Sequence, residues 1–317
     1  LEMFGSELPY PPYVHLLGIR LEEIGDATTT VAMPASRWLL SPQGRVPLGM
    51  VANLADVSFG TALETQLPGG QVYTTAEMSL QRLGTAAVGT TLVATGEVIH
   101  LGADVALTAT RIVDGEGRLI AYGTSRLTMF PPMEEYRQPP AERPTYTPPS
   151  FDTPDPWERE PTQKPLDHAV YEQLTGREII QAQVAGTIPQ APLAELIGMT
   201  IDAIDDDGVE VVMPAHPWLT NHMMGIHGGF IATLADSAMQ LAIQATATAA
   251  DRFAPLDFKV NFLRPASPDG SELRARGRVT HRGRTNAVAA AEIVNAQGKT
   301  VAMSTGAAMF DPAELIS

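Results

Sequence analysis

An internal repeat constrains the fold of this chain more than any other feature of the sequence. The chain matches itself when residues 31–56 are aligned, without gaps, with residues 211–236. Eleven of these 26 positions are identical, among them Trp38 with Trp218 and Asp56 with Asp236. A chain of 317 residues exceeds the usual size of about 100 to 200 residues per domain. We therefore predict two copies of one module.

The repeat and a proline-rich stretch together suggest where each module begins and ends. Downstream the alignment slips by one position, since His100 aligns with His281, and it returns to its first register at Phe130 and Phe310. One short indel in a loop explains this slip. Residues 131–165 are dense in proline, which favours an extended chain that cannot continue a helix or a central strand. We predict modules at residues 1–130 and 166–317, joined by a linker at residues 131–165.

Within each copy the hydrophobic periodicity changes once. In the second copy the alternating segment GVEVVMPA precedes an apolar run from Gly228 to about Ala250, which is too long for a strand and predicts one buried helix. Alternating segments follow, with the sequences LDFKVNFLRP, ELRARGRVTHR, NAVAAAEIVNAQG and KTVAMSTGAAMF, and their Pro and Gly punctuation fits hairpin turns. Each module is thus predicted to be α+β, an antiparallel sheet packed around one long helix.

Composition and charge exclude several classes of function. The chain has no Cys, which excludes disulfides, thiolate metal sites and cysteine nucleophiles. A net charge of -15 argues against nonspecific nucleic-acid binding. The sequence lacks both the apolar run of about 18 residues that a membrane span needs and a recognisable secretory signal. We expect a cytoplasmic protein with neither nucleic acid nor membrane as a partner.

The apolar run contains one carboxylate, Asp236, and its repeat mate Asp56 occupies the same place in the first copy. A charged carboxylate in a core costs several kcal/mol unless it is paired or hydrogen-bonded. Such an acid either locks the helix through hydrogen bonds or takes part in catalysis. Asn221, His227 and Gly228 lie where the chain enters the helix, and the backbone N–H groups there lack intrahelical acceptors and suit a developing oxyanion.

Spacing shows which acid can act with which helix terminus. Asp236 follows Gly228 by eight positions, which on a helix separates them by roughly 12 Å, too far to act on one carbonyl carbon. The duplication supplies a second acid. If the two central helices lie antiparallel about a pseudo-twofold axis, Gly228 meets Asp56 and Leu48 meets Asp236. A composite site between the modules is the prediction.

The pattern N-x5-H-G-G-x7-D, formed by Asn221, His227, Gly228, Gly229 and Asp236 and followed by NFLRPA, resembles the hotdog-fold acyl-CoA thioesterases of the phenylacetate-pathway group. The resemblance covers both halves and is stronger in the second. It implies two tandem hotdog modules, each an antiparallel sheet wrapped around its central helix, that pair and hydrolyse acyl-CoA thioesters at their interface. It implies no cofactor beyond the coenzyme A of the substrate.

The resemblance also implies roles for individual residues. Gly228 would donate its backbone N–H to the thioester carbonyl, and Asn221 and His227 would position the thioester or water and shape the loop. Asp56 of the partner module would activate water or attack directly. Members of the family often carry a hydroxyl residue eighteen positions after the acid, which here is Thr74.

The opposite pseudo-site departs from this pattern. Ser41, Pro47 and Leu48 occupy the positions of the Asn, His and Gly of the motif, and Ala254 replaces the hydroxyl residue. We therefore expect one good site per chain and a degenerate site at Asp236, where weak activity stays open.

A group of arginines and a group of histidines could each form a binding site. Three arginines alternate along one predicted strand and two more follow it, namely Arg274, Arg276 and Arg278, then Arg282 and Arg284. They suggest either a docking patch for the phosphates of coenzyme A or a solvated strand face or subunit contact. His216, His222 and His227 follow no common zinc spacing, so we expect no metal site.

Alternatives to hydrolysis remain open from the sequence. A hotdog hydratase or dehydratase would need a His beside the acid for proton transfer, and a non-catalytic acyl-CoA-binding module fits a chain that has lost one of its loops. The resemblance further implies that two chains associate as a homodimer of double hotdogs.

Overall fold

Each half of the chain folds into one long helix and six strands in the computed structural model, which describes residues 11–132, 150–151 and 153–311. The first half contains α1 (Pro12–Leu17), β1 (Arg20–Ile24), β2 (Thr28–Pro34), α2 (Leu48–Glu64), β3 (Val72–Arg82), β4 (Thr91–Leu101), β5 (Val105–Val113) and β6 (Leu119–Phe130). The second half contains α3 (His168–Gln173), α4 (Gly176–Val184), α5 (Pro192–Ile197), β7 (Thr200–Asp205), β8 (Gly208–Pro214), α6 (Gly228–Gln244), β9 (Phe253–Phe262), β10 (Glu272–Arg282), β11 (Asn286–Val294) and β12 (Thr300–Phe310).

All twelve strands join one antiparallel sheet in the order β1-β2-β4-β5-β6-β3-β9-β12-β11-β10-β8-β7. The two halves meet where β3 pairs with β9, for example at Met78 and Val260. Both α2 and α6 are buried along nearly their whole length, which a sheet curved around them provides. The predicted α+β architecture of two sheet-wrapped helices is confirmed. None of the helices in these described ranges has the length and apolar composition needed to cross a membrane.

The register of the repeat is visible in the positions of the elements. Helices α2 and α6 begin at Leu48 and Gly228, which are repeat mates in the gapless alignment. Strands β4 and β10 begin at Thr91 and Glu272, one position out of that register. The single inserted residue therefore falls in the loop between Phe262 and Glu272, consistent with the predicted indel.

Parts of the predicted modules and linker differ from a simple duplication or lie outside the description. Among the described residues, α3 and α4 have no counterpart in the first half. The outermost parts of the predicted modules, residues 1–10 and 312–317, lie outside the described residues, as do residues 133–149 and 152 of the predicted linker.

The central helix of the second half is shorter than predicted, since α6 ends at Gln244 and not near Ala250. The backbone N–H groups of Thr246 and Ala247 bond to carbonyls three positions earlier, which tightens the last turn. The Thr246 hydroxyl also donates to the Ile243 carbonyl, a local bond that competes with helix continuation.

The end of the predicted linker packs on both halves. Phe151 contacts Trp218 edge to face with ring centroids 4.8 Å apart. The guanidinium of Arg159 lies 4.5 Å from the ring centroid of Trp38, whose indole N–H donates to the Pro156 carbonyl at 3.0 Å. These contacts tie the two repeat-related tryptophans to the connecting segment.

Helices α2 and α6 cross antiparallel at their repeat-related residues Asn53 and Thr233. The side-chain amide of Asn53 donates to the Thr233 hydroxyl at 3.1 Å, and that hydroxyl lies 2.8 Å from the Gly49 carbonyl. A Cβ added at Gly49 or Gly229 would approach backbone atoms of the facing helix, Thr233 Cα at 2.9 Å and Asn53 Cα at 2.5 Å. Glycine at these two positions therefore permits the close crossing.

Gly277 lets β10 pack directly on α6, and substitution there should destabilise the protein. A Cβ at this position would overlap the carbonyl of Ala238, and overpacking of this kind costs about 1–3 kcal/mol. We expect Gly277→Ala to lower the midpoint of urea unfolding. The matched control is Gly115→Ala, where no atom lies nearer than 4.0 Å to the added methyl group. Equal midpoints for the two variants would contradict this packing.

Candidate active site between the two central helices

The loop before α6 is held in shape by Asn221. Its side-chain oxygen accepts hydrogen bonds from the backbone N–H groups of Met223 at 3.0 Å and Gly225 at 3.1 Å. The chain then extends through His227, whose backbone N–H donates to the Leu219 carbonyl at 2.9 Å. Helix α6 begins at Gly228. In this structure Asn221 shapes the loop through its backbone contacts.

Asp56 reaches this helix terminus from α2 of the other half. A Cβ placed on Gly228 would lie 2.8 Å from Asp56 Oδ2, so the carboxylate and the first turn of α6 are in contact range. The Thr75 hydroxyl donates to Asp56 Oδ1 at 2.8 Å, and His227 Nε2 lies 3.2 Å from Asp56 Oδ2. The carboxylate is thus held from two sides while one edge faces Gly228.

The first backbone N–H groups of α6 remain available. Phe230 and Ile231 donate to the His227 carbonyl, whereas no residue in the described part of the chain accepts a hydrogen bond from Gly228 or Gly229 N–H. These donors carry the partial positive charge of a helix N-terminus. Gly228 has no side chain to shield its N–H, and the residue is partly exposed.

His227 is enclosed beside the acid. Its ring stacks on Tyr13 with centroids 4.0 Å apart and an interplanar angle of 12°, and the residue is only 6% exposed. Burial lowers the pKa of His227, and the charge of Asp56 partly opposes that shift. A neutral imidazole carries one N–H, and the contact of Nε2 with Asp56 gives that N–H an acceptor. Tyr13 and Asn53, whose Oδ1 lies 3.4 Å from His227 Nδ1, were not identified from the sequence.

Asp236, at the other end of the crossing, has different partners. Its Oδ2 accepts the backbone N–H of Gly49 at 2.8 Å, and its Oδ1 accepts from Gln240 at 3.2 Å. Burial raises the pKa of Asp236, and the Gly49 N–H, Arg82 and Gln240 oppose that shift. This acid therefore occupies a backbone donor at the N-terminus of α2.

Repeat mates explain why the two acids behave differently. Pro47 and Pro255 are the repeat mates of His227 and Thr75, so Asp236 has neither an imidazole nor a hydroxyl at the matching positions. Gln240 stands where the first copy has Gly60. The two carboxylates are equivalent by sequence and differ in what holds them.

The threonine that contacts Asp56 is Thr75, whereas the sequence prediction named Thr74. Thr74 is exposed, and Thr75 is the residue that bonds to Asp56. Neighbouring strand residues point to opposite faces of a sheet, so counting from the acid cannot choose between them. A register shift between Thr75 and Glu77 in the pairing of β3 with β6 further disturbs such counting.

The arginines proposed as a phosphate-docking patch do not face this site. Leu273, Ala275 and Gly277 are the buried residues of β10, and Gly277 packs against α6, so the alternating arginines project from the outer face of the sheet. Arg274 is paired with Asp202, Glu210 and Glu272, and Arg276 with Asp205. Arg282 lies over the ring of Phe310 at 3.5 Å. Arg278 and Arg284 are exposed. The pairing favours the interpretation of a solvated strand face.

Within the described ranges, no three His, Asp or Glu side chains come together as a set that could hold a metal ion. His216 Nδ1 instead accepts the backbone N–H of Trp218 at 3.1 Å, and His227 contacts Asp56.

Comparison with known proteins gives matches in both halves. Residues 44–121 and 225–302 each match the family model of the thioesterase superfamily. The chain is 34% identical over 113 residues to the acyl-coenzyme A thioesterase PaaI of Escherichia coli, an alignment that covers 36% of this chain and 78% of that protein.

Solved structures match the chain over nearly its full length. The tesB protein of Mycobacterium avium subspecies paratuberculosis aligns with a TM-score of 0.59 at 12% identity, covering 95% of this chain and 98% of that one. An acyl-CoA thioesterase II from Mycobacterium marinum aligns with a TM-score of 0.56 at 15% identity, covering 95% and 99%. At these identities the likeness concerns the fold.

The contact between Thr75 and Asp56 can be tested by stability. Thr75→Val leaves the buried Asp56 Oδ1 without its hydroxyl donor, and an unsatisfied buried acceptor costs about 1–3 kcal/mol. We expect a lower free energy of unfolding in urea for this variant. Thr74→Val is the control, since that side chain is exposed and its loss should change stability by less than about 0.5 kcal/mol. A larger effect at Thr74 than at Thr75 would contradict the assignment.

Proposed function

The chain belongs to the thioesterase superfamily, and from that premise we propose that it hydrolyses acyl-CoA thioesters at the contact between Asp56 and the Gly228 terminus of α6. It is a thioester hydrolase by this membership. The proposal of acyl-CoA as the substrate class is supported by the relative PaaI, which is an acyl-coenzyme A thioesterase.

One observation carries the choice of site. A carboxylate from one half and an unengaged backbone N–H from the other lie side by side, with Asp56 Oδ2 2.8 Å from the position of a Cβ on Gly228. Hydrolysis of a thioester needs both a donor for the developing oxyanion and a base for water. Neither half supplies both within reach.

In the proposed reaction the thioester carbonyl oxygen accepts a hydrogen bond from Gly228 N–H. Asp56 removes a proton from water as the water oxygen attacks the carbonyl carbon, which gives a tetrahedral intermediate whose oxyanion faces the helix N-terminus. The intermediate collapses with cleavage of the C–S bond, and the departing thiolate takes the proton from the carboxyl group of Asp56, which gives the free thiol and restores the Asp56 carboxylate. The carboxylic acid is the second product.

Thr75 and His227 act on the acid in this scheme. Their contacts with the two carboxylate oxygens fix the orientation of Asp56. Asp236 lacks such contacts and instead accepts a hydrogen bond from the Gly49 N–H at its helix terminus. The neutral state favoured by the lowered pKa of His227 suits a hydrogen-bond donor that only orients. Direct attack by Asp56 on the carbonyl is the variant of this mechanism that the same contacts also permit.

The Asp236 end contains a cavity of about 300 Å³, yet its chemistry is less suited to hydrolysis. One of the two backbone donors at the N-terminus of α2, the Gly49 N–H, already donates to Asp236, and Leu48, the repeat mate of Gly228, carries a side chain. No imidazole or hydroxyl stands at the positions that hold Asp56 in the first site. We therefore assign turnover to the Asp56 site and treat the Asp236 site as degenerate.

A hydratase or dehydratase acting on acyl thioesters is the second candidate, and the contact of His227 Nε2 with Asp56 at 3.2 Å favours it. Such an enzyme would add water to the double bond of an enoyl-CoA without releasing thiol. Thiol release and loss of the enoyl absorbance, measured on the same samples, separate the two reactions.

Association of two chains into a homodimer stays a prediction.

Substitution of the two acids tests the assignment. General base catalysis typically contributes about 10²–10⁴-fold to the rate, so we expect Asp56→Asn to lower kcat by that factor. Asp236→Asn should change kcat by less than tenfold, which corresponds to about 1.4 kcal/mol. The measurement is thiol release from short, medium, long and aryl acyl-CoA thioesters. Loss of turnover in Asp236→Asn alone would overturn the assignment.

Gly228→Ala tests the helix terminus. The added methyl group would meet Asp56 Oδ2 at 2.8 Å, which displaces the acid and keeps a carbonyl from the N–H. We expect a loss in kcat of about 10²–10³-fold, the range seen when one oxyanion donor is removed. Gly225→Ala is the matched control, because its nearest neighbour would be the Ala266 carbonyl at 3.6 Å. Equal activity of the two variants would argue against a role for Gly228.

A further inference from the structure

The cavity at the Asp236 end is built as a ligand site. It lies between α3–α5 on one side and α6 with the loop before α2 on the other, and its volume is about 300 Å³. Apolar side chains form much of the wall, among them Leu174, Ile179, Leu193, Met199 and Leu241. Helices α3 and α4, which close this end, have no counterpart in the described part of the first half.

Polar atoms without partners are concentrated around this cavity. Five lining side chains each have one buried N or O atom that makes no hydrogen bond within the described residues: Arg82 Nε, Tyr171 Oη, Gln183 Oε1, Gln240 Oε1 and Gln244 Nε2. Gln183, Gln244 and Arg82 are only 2%, 3% and 9% exposed. A buried polar atom left unpaired is unfavourable, so a cluster of such atoms around an apolar cavity indicates a polar group of a ligand.

Charge indicates the sign of that group. Burial lowers the pKa of Arg82, the nearby Asp236 opposes the shift, and the nearby Arg45 adds to it. The guanidinium group of Arg82 thus lies in the same lining as the carboxylate of Asp236. Phe262 stands at the matching position of the other site, so the Arg82 guanidinium is specific to the Asp236 end.

The acids at the cavity are already engaged. Both oxygens of Asp236 accept hydrogen bonds, from Gly49 N–H and from Gln240. Among the other acids of the lining, Asp251 accepts the backbone N–H of Thr248 at 2.9 Å, and Glu172 lies 3.4 Å from His168. Arg252, which is exposed, adds a further positive charge to the lining.

We propose that the Asp236 cavity is a second ligand site, which binds a carboxylic acid with an apolar chain or ring and does not hydrolyse thioesters. The carboxylate pairs with the Arg82 guanidinium and takes hydrogen bonds from Gln244 and Tyr171, and the apolar part lies against the walls from α3–α5. A cavity of about 300 Å³ with an apolar wall suits a small amphipathic acid, and octanoate serves as the probe.

A carboxylic acid with an apolar chain is also what hydrolysis of an acyl thioester releases. This link between the cavity and the product rests on the proposed function. The cavity would then sense the accumulated product from the end of the helix pair opposite the reacting centre. Binding itself does not depend on turnover. Thiol release by the wild type tests the proposed function, and binding of octanoate to a variant without turnover tests the site, so that either can fail alone.

Isothermal titration of octanoate provides the test, with octan-1-ol as the ligand that lacks the charge. We expect one octanoate per chain, bound equally by the wild type and Asp56→Asn. A hydrogen bond to a charged group contributes about 1.5–3 kcal/mol, so Arg82→Met should raise Kd roughly 10- to 100-fold, and Arg82→Lys should raise it less. Tyr171→Phe removes one hydroxyl from the short helix α3 and should raise Kd about 2- to 10-fold even if Arg82 variants fold poorly.

Several results would overturn the proposal. Absence of octanoate binding by the wild type would do so, as would equal affinity for octan-1-ol. Loss of binding in Asp56→Asn or Gly228→Ala, with the Kd of Tyr171→Phe unchanged, would place the acid at the first site instead.

Discussion

The antiparallel crossing of α2 and α6 sets the distances at both ends of the helix pair. It rests on Asn53 and Thr233, which are repeat mates that bond to each other, and on Gly49 and Gly229, where a side chain would strike the facing helix. The crossing brings each acid, two turns into its own helix, next to the N-terminus of the other. A helix alone would keep its acid and its terminal N–H groups about 12 Å apart.

The same crossing produces two different sites because the side chains around the acids differ. Thr75 and His227 contact the two oxygens of the Asp56 carboxylate beside the Gly228 terminus. Prolines replace both residues at the other end, and Asp236 bonds to the Gly49 N–H. A duplicated fold thus supports a proposed reacting centre at one end. At the other end, Arg82 and the cavity behind it can serve a different ligand.

Much of the arrangement was predictable from the sequence. The repeat indicated two modules, and the change of periodicity indicated a buried helix and an antiparallel sheet. The spacing along the helix showed that Gly228 and Asp236 are too far apart to act in the same site. Thr75 was missed because spacing along a strand fixes neither the face nor the effect of a bulge. The orientation of Arg274 and Arg276 depended on which face of β10 packs on α6, and their partners Asp202, Glu210 and Asp205 lie on other strands. Helices α3 and α4 had no repeat mate to reveal them.

A crystal structure of the Asp56→Asn variant with an intact acyl-CoA substrate tests the central claim most directly. The account predicts the thioester at the Gly228 terminus, with its carbonyl oxygen about 2.7–3.1 Å from the Gly228 nitrogen and the side chain of residue 56 beside its carbonyl carbon. A thioester bound at the Gly49 terminus next to Asp236, with the Gly228 end empty, would contradict it.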